Sequence, residues 1–148
     1  MKTILILTLF FLTTILRADQ SISMQLNGAS HHIKPNKDYN EKNYGAGFVY
    51  EINRHYISAG FYKNSFNTTS KYIFTGWRHS FRYGNWLWSP GITMGIITGY
   101  SKEKVKAIAV PVIAFGYDPV RINLMWLPGI NGFQSLWFAQ AEIELFIW

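Results

Sequence analysis

Two short segments of the chain carry side chains that could perform acid–base chemistry together. His31 and His32 lie side by side, and Asn64 and Ser65 follow further along the chain. An imidazole titrates near neutral pH and can remove a proton from a serine hydroxyl, which is otherwise a poor nucleophile. Serines in loops are common, so the pair is a weak signal until a fold brings the two groups together.

The N-terminal segment indicates export. Lys2 precedes an apolar run from Ile4 to Leu16, and the small residue Ala18 is followed by polar Asp19. This layout is typical of a secretory signal peptide. The apolar run is also shorter than the ~20 residues that a membrane-spanning helix needs. We therefore expect residues 1–18 to be a signal peptide that is cleaved after Ala18, and residues 19–148 to form one mature domain.

The composition of the chain favours a membrane environment without membrane helices. Aromatic residues make up 18% of the chain and charged residues 15%, whereas a soluble domain is roughly 25% charged. No segment after residue 18 is long and apolar enough for a membrane helix. A closed barrel is then the way to satisfy every backbone group in lipid. A soluble periplasmic β-sandwich is the alternative.

Turn residues divide the mature chain into eight segments of strand-like composition. The predicted strands cover residues 20–31, 44–52, 55–63, 71–81, 86–99, 106–115, 120–127 and 135–148. Short connections alternate with longer, more polar ones, as periplasmic turns alternate with extracellular loops in bacterial barrels. The prediction is an all-β fold, an eight-stranded antiparallel transmembrane β-barrel in the outer membrane. The first and third strands then end at the same outer rim, where a histidine meets Ser65.

The inward faces of the strands indicate what the barrel holds. In the segments Ile92–Thr98 and Ala107–Phe115 both faces are largely apolar, whereas a water-filled lumen would be polar. An interior that accommodates a hydrocarbon chain and a packed core without a ligand fit this pattern equally well. Glu142 and Glu144 share one face of the last strand, which departs from the usual apolar alternation.

Four motifs in order along the chain resemble the outer-membrane lipid A palmitoyltransferases (PagP-type). They are Tyr39-Asn40-Glu41 with the glycine-rich segment 45–48, the stretch YKNSF at 62–66, Gly76-Trp77, and the run PVIAFGYDPVRINLMWLPG at 111–129. The last run is the most specific, because its glycine and proline positions match the family in register and without gaps. The resemblance extends over nearly all of the chain after residue 30.

The resemblance implies roles for the residues that could do chemistry. The family's catalytic histidine falls at the end of strand one, where spacing to the Tyr39-Asn40 pair favours His32 and strand parity leaves His31 possible. Its serine corresponds to Ser65, and its aspartate corresponds to Asn64. An amide cannot carry the negative charge that would orient an imidazolium. If Asn64 is a weakened version of that aspartate, the change Asn64→Asp is expected to raise activity.

The resemblance also implies an acyl pocket and a route into it. Gly76 matches a glycine on the floor of the family's pocket. Pro111 and Pro128 match prolines that interrupt barrel hydrogen bonding, and such gaps can admit lipid laterally. Ordinary punctuation of strand ends is the alternative reading of both prolines. The family's amphipathic helix before strand one has no room here, and the first outer loop is shorter.

The expected function is acyl transfer from a phospholipid to lipid A or a similar outer-leaflet acceptor, by a membrane-embedded monomer. No metal, cofactor or nucleic acid is implied. Lysines of the outer loops could meet lipid A phosphates as point charges; they are Lys34, Lys37, Lys42, Lys63, Lys71, Lys102, Lys104 and Lys106. A catalytically silent lipid-binding barrel and a phospholipase-type acyl hydrolase are the alternatives.

Overall fold

The computed structural model describes residues 19–100, 105–129 and 134–148. The expected signal peptide at 1–18 lies outside these ranges, as do Lys102 and Lys104. The strands are β1 (Gln20–His32), β2 (Lys42–Ile52), β3 (His55–Lys63), β4 (Thr69–Arg78), β5 (Phe81–Tyr83), β6 (Trp86–Thr98), β7 (Val105–Tyr117), β8 (Val120–Leu127) and β9 (Leu136–Ile147). In the part of the chain that the structure describes, no helix is long and apolar enough to cross a membrane.

The strands close into a barrel. All of the strand pairs are antiparallel; β1 pairs with both β2 and β9, and β4 pairs with both β3 and β6. The short β5 follows β4 after a break at residues 79–80 and hydrogen-bonds to β6. The nine segments therefore occupy eight positions around the barrel. The predicted eight-stranded antiparallel barrel is confirmed, with the correction that the predicted strand 71–81 is interrupted before Phe81.

The outward-facing side chains form an apolar surface. Exposed and buried residues alternate strictly along β4, as a strand with one face inside a barrel requires. Large apolar side chains on the outside include Phe48, Ile57, Phe61, Ile73, Ile96 and Phe115. Aromatic residues cluster near the strand ends, among them Tyr44, Trp86, Tyr117, Trp126 and Trp148. Such a belt between aromatic girdles is the exterior that a lipid environment favours.

The interior differs between the two ends of the barrel. Toward the end that carries His32, a cluster of Tyr62, Tyr72, Phe74 and Ile97 is buried. Toward the other end the interior is charged, and Glu142 has no exposed surface. The apolar interior expected from the middle strands is thus confined to one half, because the charges come from other strands.

The charged half is a connected set of ion pairs. Arg78 contacts Glu51 and also Glu142, whose Oε1 atom lies 3.0 Å from Arg78 Nη2. The Arg121 Nε atom lies 3.2 Å from Glu142 Oε1, and Arg121 Nη2 lies 3.3 Å from Glu144 Oε2. Glu142 therefore bridges two buried guanidinium groups. Buried charges are tolerated when each has partners of opposite sign and hydrogen bonds, and this network fills the bore with them.

Removal of the bridging carboxylate should be costly. We expect Glu142→Ala to lower the free energy of unfolding by about 3–5 kcal/mol, because it leaves two buried arginines without their shared partner. Equilibrium unfolding in detergent micelles measures this loss. The control is Asp118→Ala, which breaks the half-exposed pair with Arg82 and should cost about 1 kcal/mol or less. Equal losses in the two variants would contradict this account of the interior.

Candidate functional site

A β-bulge in β1 decides which histidine enters the barrel. Before the bulge, odd-numbered residues such as Ser23 and Gln25 are buried. The pairing of β1 with both of its neighbours shifts between Asn27 and Ala29. A bulge inserts one extra residue and so reverses which side chains face inward. After it the even-numbered residues are buried, and His32 takes the inward position.

The structure brings His32 and Ser65 together. Only 2% of the His32 side chain is exposed, compared with 76% for His31. The His32 Nε2 atom lies 3.0 Å from Ser65 Oγ, and Ser65 is also buried. Ser65 belongs to the loop after β3, so the ends of β1 and β3 meet at one rim. His32 is the histidine that its spacing to Tyr39-Asn40 favours, whereas strand parity allows His31 only if β1 has no bulge.

Glu41, to which the sequence analysis assigned no role, stands behind the histidine. Its Oε1 atom accepts the His32 backbone N–H at 2.8 Å and lies 3.4 Å from His32 Nδ1. The backbone hydrogen bond holds the pKa of Glu41 below its ordinary value, so the group is a carboxylate at neutral pH. A carboxylate beside Nδ1 favours the hydrogen on that nitrogen, which leaves Nε2 free to accept the Ser65 proton. In the sequence, Glu41 stands out only as the third residue of the Tyr39-Asn40-Glu41 motif, whose spacing favours His32 over His31.

The loop between β1 and β2 covers the imidazole. The Tyr39 ring stacks on the His32 ring with centroids 4.3 Å apart and planes 11° apart. Asn40 ties this loop to the next one, because its backbone N–H donates to Ser65 O at 2.9 Å and its amide donates to Asn64 O at 3.0 Å. The imidazole is therefore held on one face by a ring and at its edges by Glu41 and Ser65.

Asn64 builds the loop that carries Ser65. Its Oδ1 atom accepts the backbone N–H groups of Phe66 and Thr68 at 2.9 and 3.1 Å. Its Nδ2 atom lies 2.8, 3.0 and 2.9 Å from Thr68 Oγ1, Ser70 Oγ and Gly99 O, so its two hydrogens are shared among three acceptors. The Asn64 side chain is fully buried, and its amide reaches none of the His32 ring atoms by hydrogen bond among the described residues. The hydrogen bonds of the side chain therefore hold the loop and not the imidazole that Asn64 was expected to orient.

Ser65 opens into an apolar cavity of about 50 Å³. The lining is mainly aromatic and aliphatic, and includes Tyr62, Tyr72, Phe74, Val110, Met125 and Phe138. Gly76, expected on the pocket floor, is not among the lining residues. A Cβ atom at Gly76 would meet the Tyr56 ring and the Ile92 carbonyl, so this position is already covered. Phe74 is the next inward-facing residue of β4 toward the rim that carries His32, and it lines the cavity instead.

The two prolines lie beside a gap in the barrel wall. Pairing between β7 and β8 runs from Tyr117 and Val120 as far as Val112 and Met125. Pro111 comes next in β7 and cannot donate a backbone hydrogen bond. Residues 105–111 pair with β6 but have no ladder to β8, and Pro128 directly follows the end of β8. The gap adjoins Met125 and Leu127, which line the cavity.

Comparison with known proteins agrees with this architecture. No protein-family model matches the chain. Among curated proteins, the chain is 26% identical to the lipid A acyltransferase PagP of Edwardsiella tarda (strain FL6-60), over 72% of this chain and 62% of that protein. The chain thus spans less than two thirds of that relative's length. The resemblance inferred from the motifs is confirmed, at low identity, by this similarity.

Because of these contacts of Asn64, we expect the change Asn64→Asp to lower activity and not to raise it. Asn64→Asp should lower the free energy of unfolding by about 1–3 kcal/mol, because aspartate cannot donate to Gly99 O and would bury a charge. Acyl transfer, if present, should fall as well. Equilibrium unfolding measures the loss, with Asn67→Asp as a control at an exposed position of the same loop. Unchanged stability together with higher activity in Asn64→Asp would restore the interpretation of Asn64 as a weakened aspartate.

Proposed function

We propose that this chain is an outer-membrane acyltransferase that moves a fatty acyl chain from a phospholipid to lipid A or a similar outer-leaflet acceptor. The observation that carries the proposal is the 3.0 Å contact between His32 Nε2 and Ser65 Oγ at the mouth of an apolar cavity. The name of the relative from Edwardsiella tarda describes the same class of reaction. A base, a hydroxyl and an apolar cavity are the parts that this reaction requires. At about 50 Å³ the cavity must widen to admit a full acyl chain.

The proposed location follows from the exterior of the barrel. An apolar surface with aromatic residues at the strand ends suits a bilayer. Cleavage of residues 1–18 as a signal peptide would deliver the remainder to the periplasm, from which it inserts as a monomer. The rim with His32 then faces outward. Lys34, Lys37 and Lys42 are exposed at this rim and could contact lipid phosphates.

The first chemical step transfers the acyl group to the enzyme. His32 Nε2 removes the proton from Ser65 Oγ, and the oxygen forms a bond with the ester carbonyl carbon while the carbonyl electrons move to its oxygen. The intermediate then collapses, the bond from the acyl carbon to the glycerol oxygen breaks, and this oxygen takes the proton from His32. A lysophospholipid leaves, and Ser65 carries the acyl chain as an ester.

The second step passes the chain to the acceptor. A hydroxyl of the acceptor gives its proton to His32 and attacks the acyl carbon, and Ser65 Oγ leaves and takes that proton back. In both steps the imidazole is transiently positive, and the Glu41 carboxylate beside Nδ1 stabilises that charge. Glu41 is therefore a positioning residue in this scheme, because it acts through His32.

The wall and the bore determine how the donor enters. The gap between β7 and β8 above Val112 and Met125 offers an acyl chain a lateral path from the membrane into the cavity. The polar ester would remain at the level of Ser65, and the chain would extend toward Phe74. Below Phe74 the barrel is filled by the charged network around Arg78, so the chain cannot extend further.

A second candidate function is hydrolysis of the same ester, in which water replaces the acceptor hydroxyl. The observation that favours it is the 44% exposure of the Glu41 side chain, which brings water close to the imidazole. The acyl-serine and the residues are the same in both reactions, and only the acceptor differs.

The alanine variants of the pair test the proposed function. Ser65→Ala and His32→Ala should each abolish acyl transfer, and the double variant should be no worse, because groups that act as a unit are non-additive. Mass spectrometry of lipid A from cells that express each variant measures transfer, and His55→Ala, at an exposed position at the other end of the barrel, is the matched control. Release of free fatty acid without modified lipid A would indicate the hydrolase. Identical lipid profiles with and without the wild-type chain would indicate a silent barrel.

Phe74 lines the cavity, and we expect its side chain to limit the length of the acyl chain that binds. Phe74→Ala should shift the preferred acyl chain to a greater length by a few methylene groups, because it deepens the bore. The enzyme assay with phospholipids of graded chain length measures the profile. Ile73→Ala removes a side chain of similar kind from the outer face of the same strand and should leave the profile unchanged. An unaltered profile in an active Phe74→Ala enzyme would show that Phe74 does not end the bore.

A further inference from the structure

Two phenols lie beside Ser65 and take no part in the proton transfers described above. Tyr62, near the end of β3, and Tyr100, after β6, line the same cavity as Ser65. Their hydroxyl oxygens are 2.7 Å apart. A linked pair of phenols therefore lines the cavity beside the nucleophile.

Tyr100 can act as a hydrogen-bond donor. Burial raises the pKa of its phenol above the ordinary value, so the group is protonated at neutral pH. The phenol therefore carries a hydrogen that it can donate to an acceptor atom of a ligand bound beside Ser65.

The loop that carries the nucleophile also holds Tyr100 in place. Asn64 donates to the carbonyl of Gly99, the residue before Tyr100. The Phe66 ring packs edge-on against the Tyr100 ring, with centroids 6.0 Å apart. Because Asn64 and Phe66 flank Ser65 in sequence, the distance between Ser65 and Tyr100 is determined from both sides.

Ser30 provides an independent indication that this end of the cavity binds a polar group. It lies two residues before His32 on the same inward face of β1 and lines the cavity. The residue is 6% exposed, and its hydroxyl oxygen is buried without a hydrogen-bond partner among the described residues. A buried polar atom without a partner costs about 1–3 kcal/mol. A ligand with a hydrogen-bond acceptor near Ser65 would remove that cost.

We propose that Tyr100, supported by Tyr62, and Ser30 form the oxyanion site for acyl transfer. As Ser65 Oγ bonds to the ester carbon, the carbonyl electrons move to the carbonyl oxygen, and both hydroxyl groups donate hydrogen bonds to it without giving up their protons. When the intermediate collapses, the electrons return and the C–O bond to the leaving group breaks. Donors placed where charge develops are worth more in the transition state than in the ground state.

The inference rests on the proposed function and makes a distinct kinetic prediction. Tyr100→Phe removes the donor and keeps the ring, and should lower kcat about 10²–10³-fold with little change in KM. Ser30→Ala should lower kcat in the same direction. Its free energy of unfolding should be unchanged or higher, because the lost hydroxyl had no partner. A purely structural role for Ser30 would produce the opposite pattern, with lower stability and unchanged kcat.

The assay uses the full mature chain in detergent micelles with phospholipid and lipid A. Tyr50→Phe is the control, because that phenol bonds to Gln20 at the other end of the barrel, and it should keep wild-type kcat. If Ser65→Ala is inactive while Tyr100→Phe and Ser30→Ala keep wild-type kcat, the oxyanion site is overturned and the proposed function stands. If the wild-type chain transfers and hydrolyses nothing, both proposals are overturned.

Discussion

The sheet closes on itself through the pairing of β1 with β9 and of β4 with β6, and this closure fixes both the interior of the barrel and the position of the site. It gives each barrel strand a neighbour on both sides and makes every second side chain an interior one. Side chains must then occupy the interior, and this chain fills its two halves differently. Ion pairs around Glu142 occupy one half, and aromatic rings occupy the other. The apolar half ends at the loops that carry the candidate site.

The site arises where regular pairing stops. A bulge at the end of β1 turns His32 inward, and the loop after β3 places Ser65 against it. Glu41 comes back from the β1–β2 loop to the other side of the imidazole. The end of the ladder between β7 and β8 opens the wall on the opposite side of the bore. Rigid strands therefore position the base, whereas loops supply the hydroxyl and the carboxylate.

Most of the strand plan could be predicted because composition and turn residues mark where each strand begins and ends; residues 55–63 and 120–127 coincide with β3 and β8. Period-two counting could not identify His32, because a bulge leaves no trace in that alternation. The role of Glu41 depends on how a polar loop folds back, which its motif does not encode. Asn64 could be matched to a family aspartate, but its hydrogen-bond partners lie in other segments and only the fold reveals them.

We propose that Ser65 is a nucleophile activated by His32 and Glu41. Reaction of the purified barrel with a fluorophosphonate, which modifies activated serine hydroxyls, tests this claim without any assumption about donor or acceptor. Mass spectrometry of the digested protein should find the label on Ser65 in the wild type, slower labelling in Glu41→Gln, and none in His32→Ala. An unlabelled wild type, or equal labelling of Ser65 in all three proteins, would contradict the account.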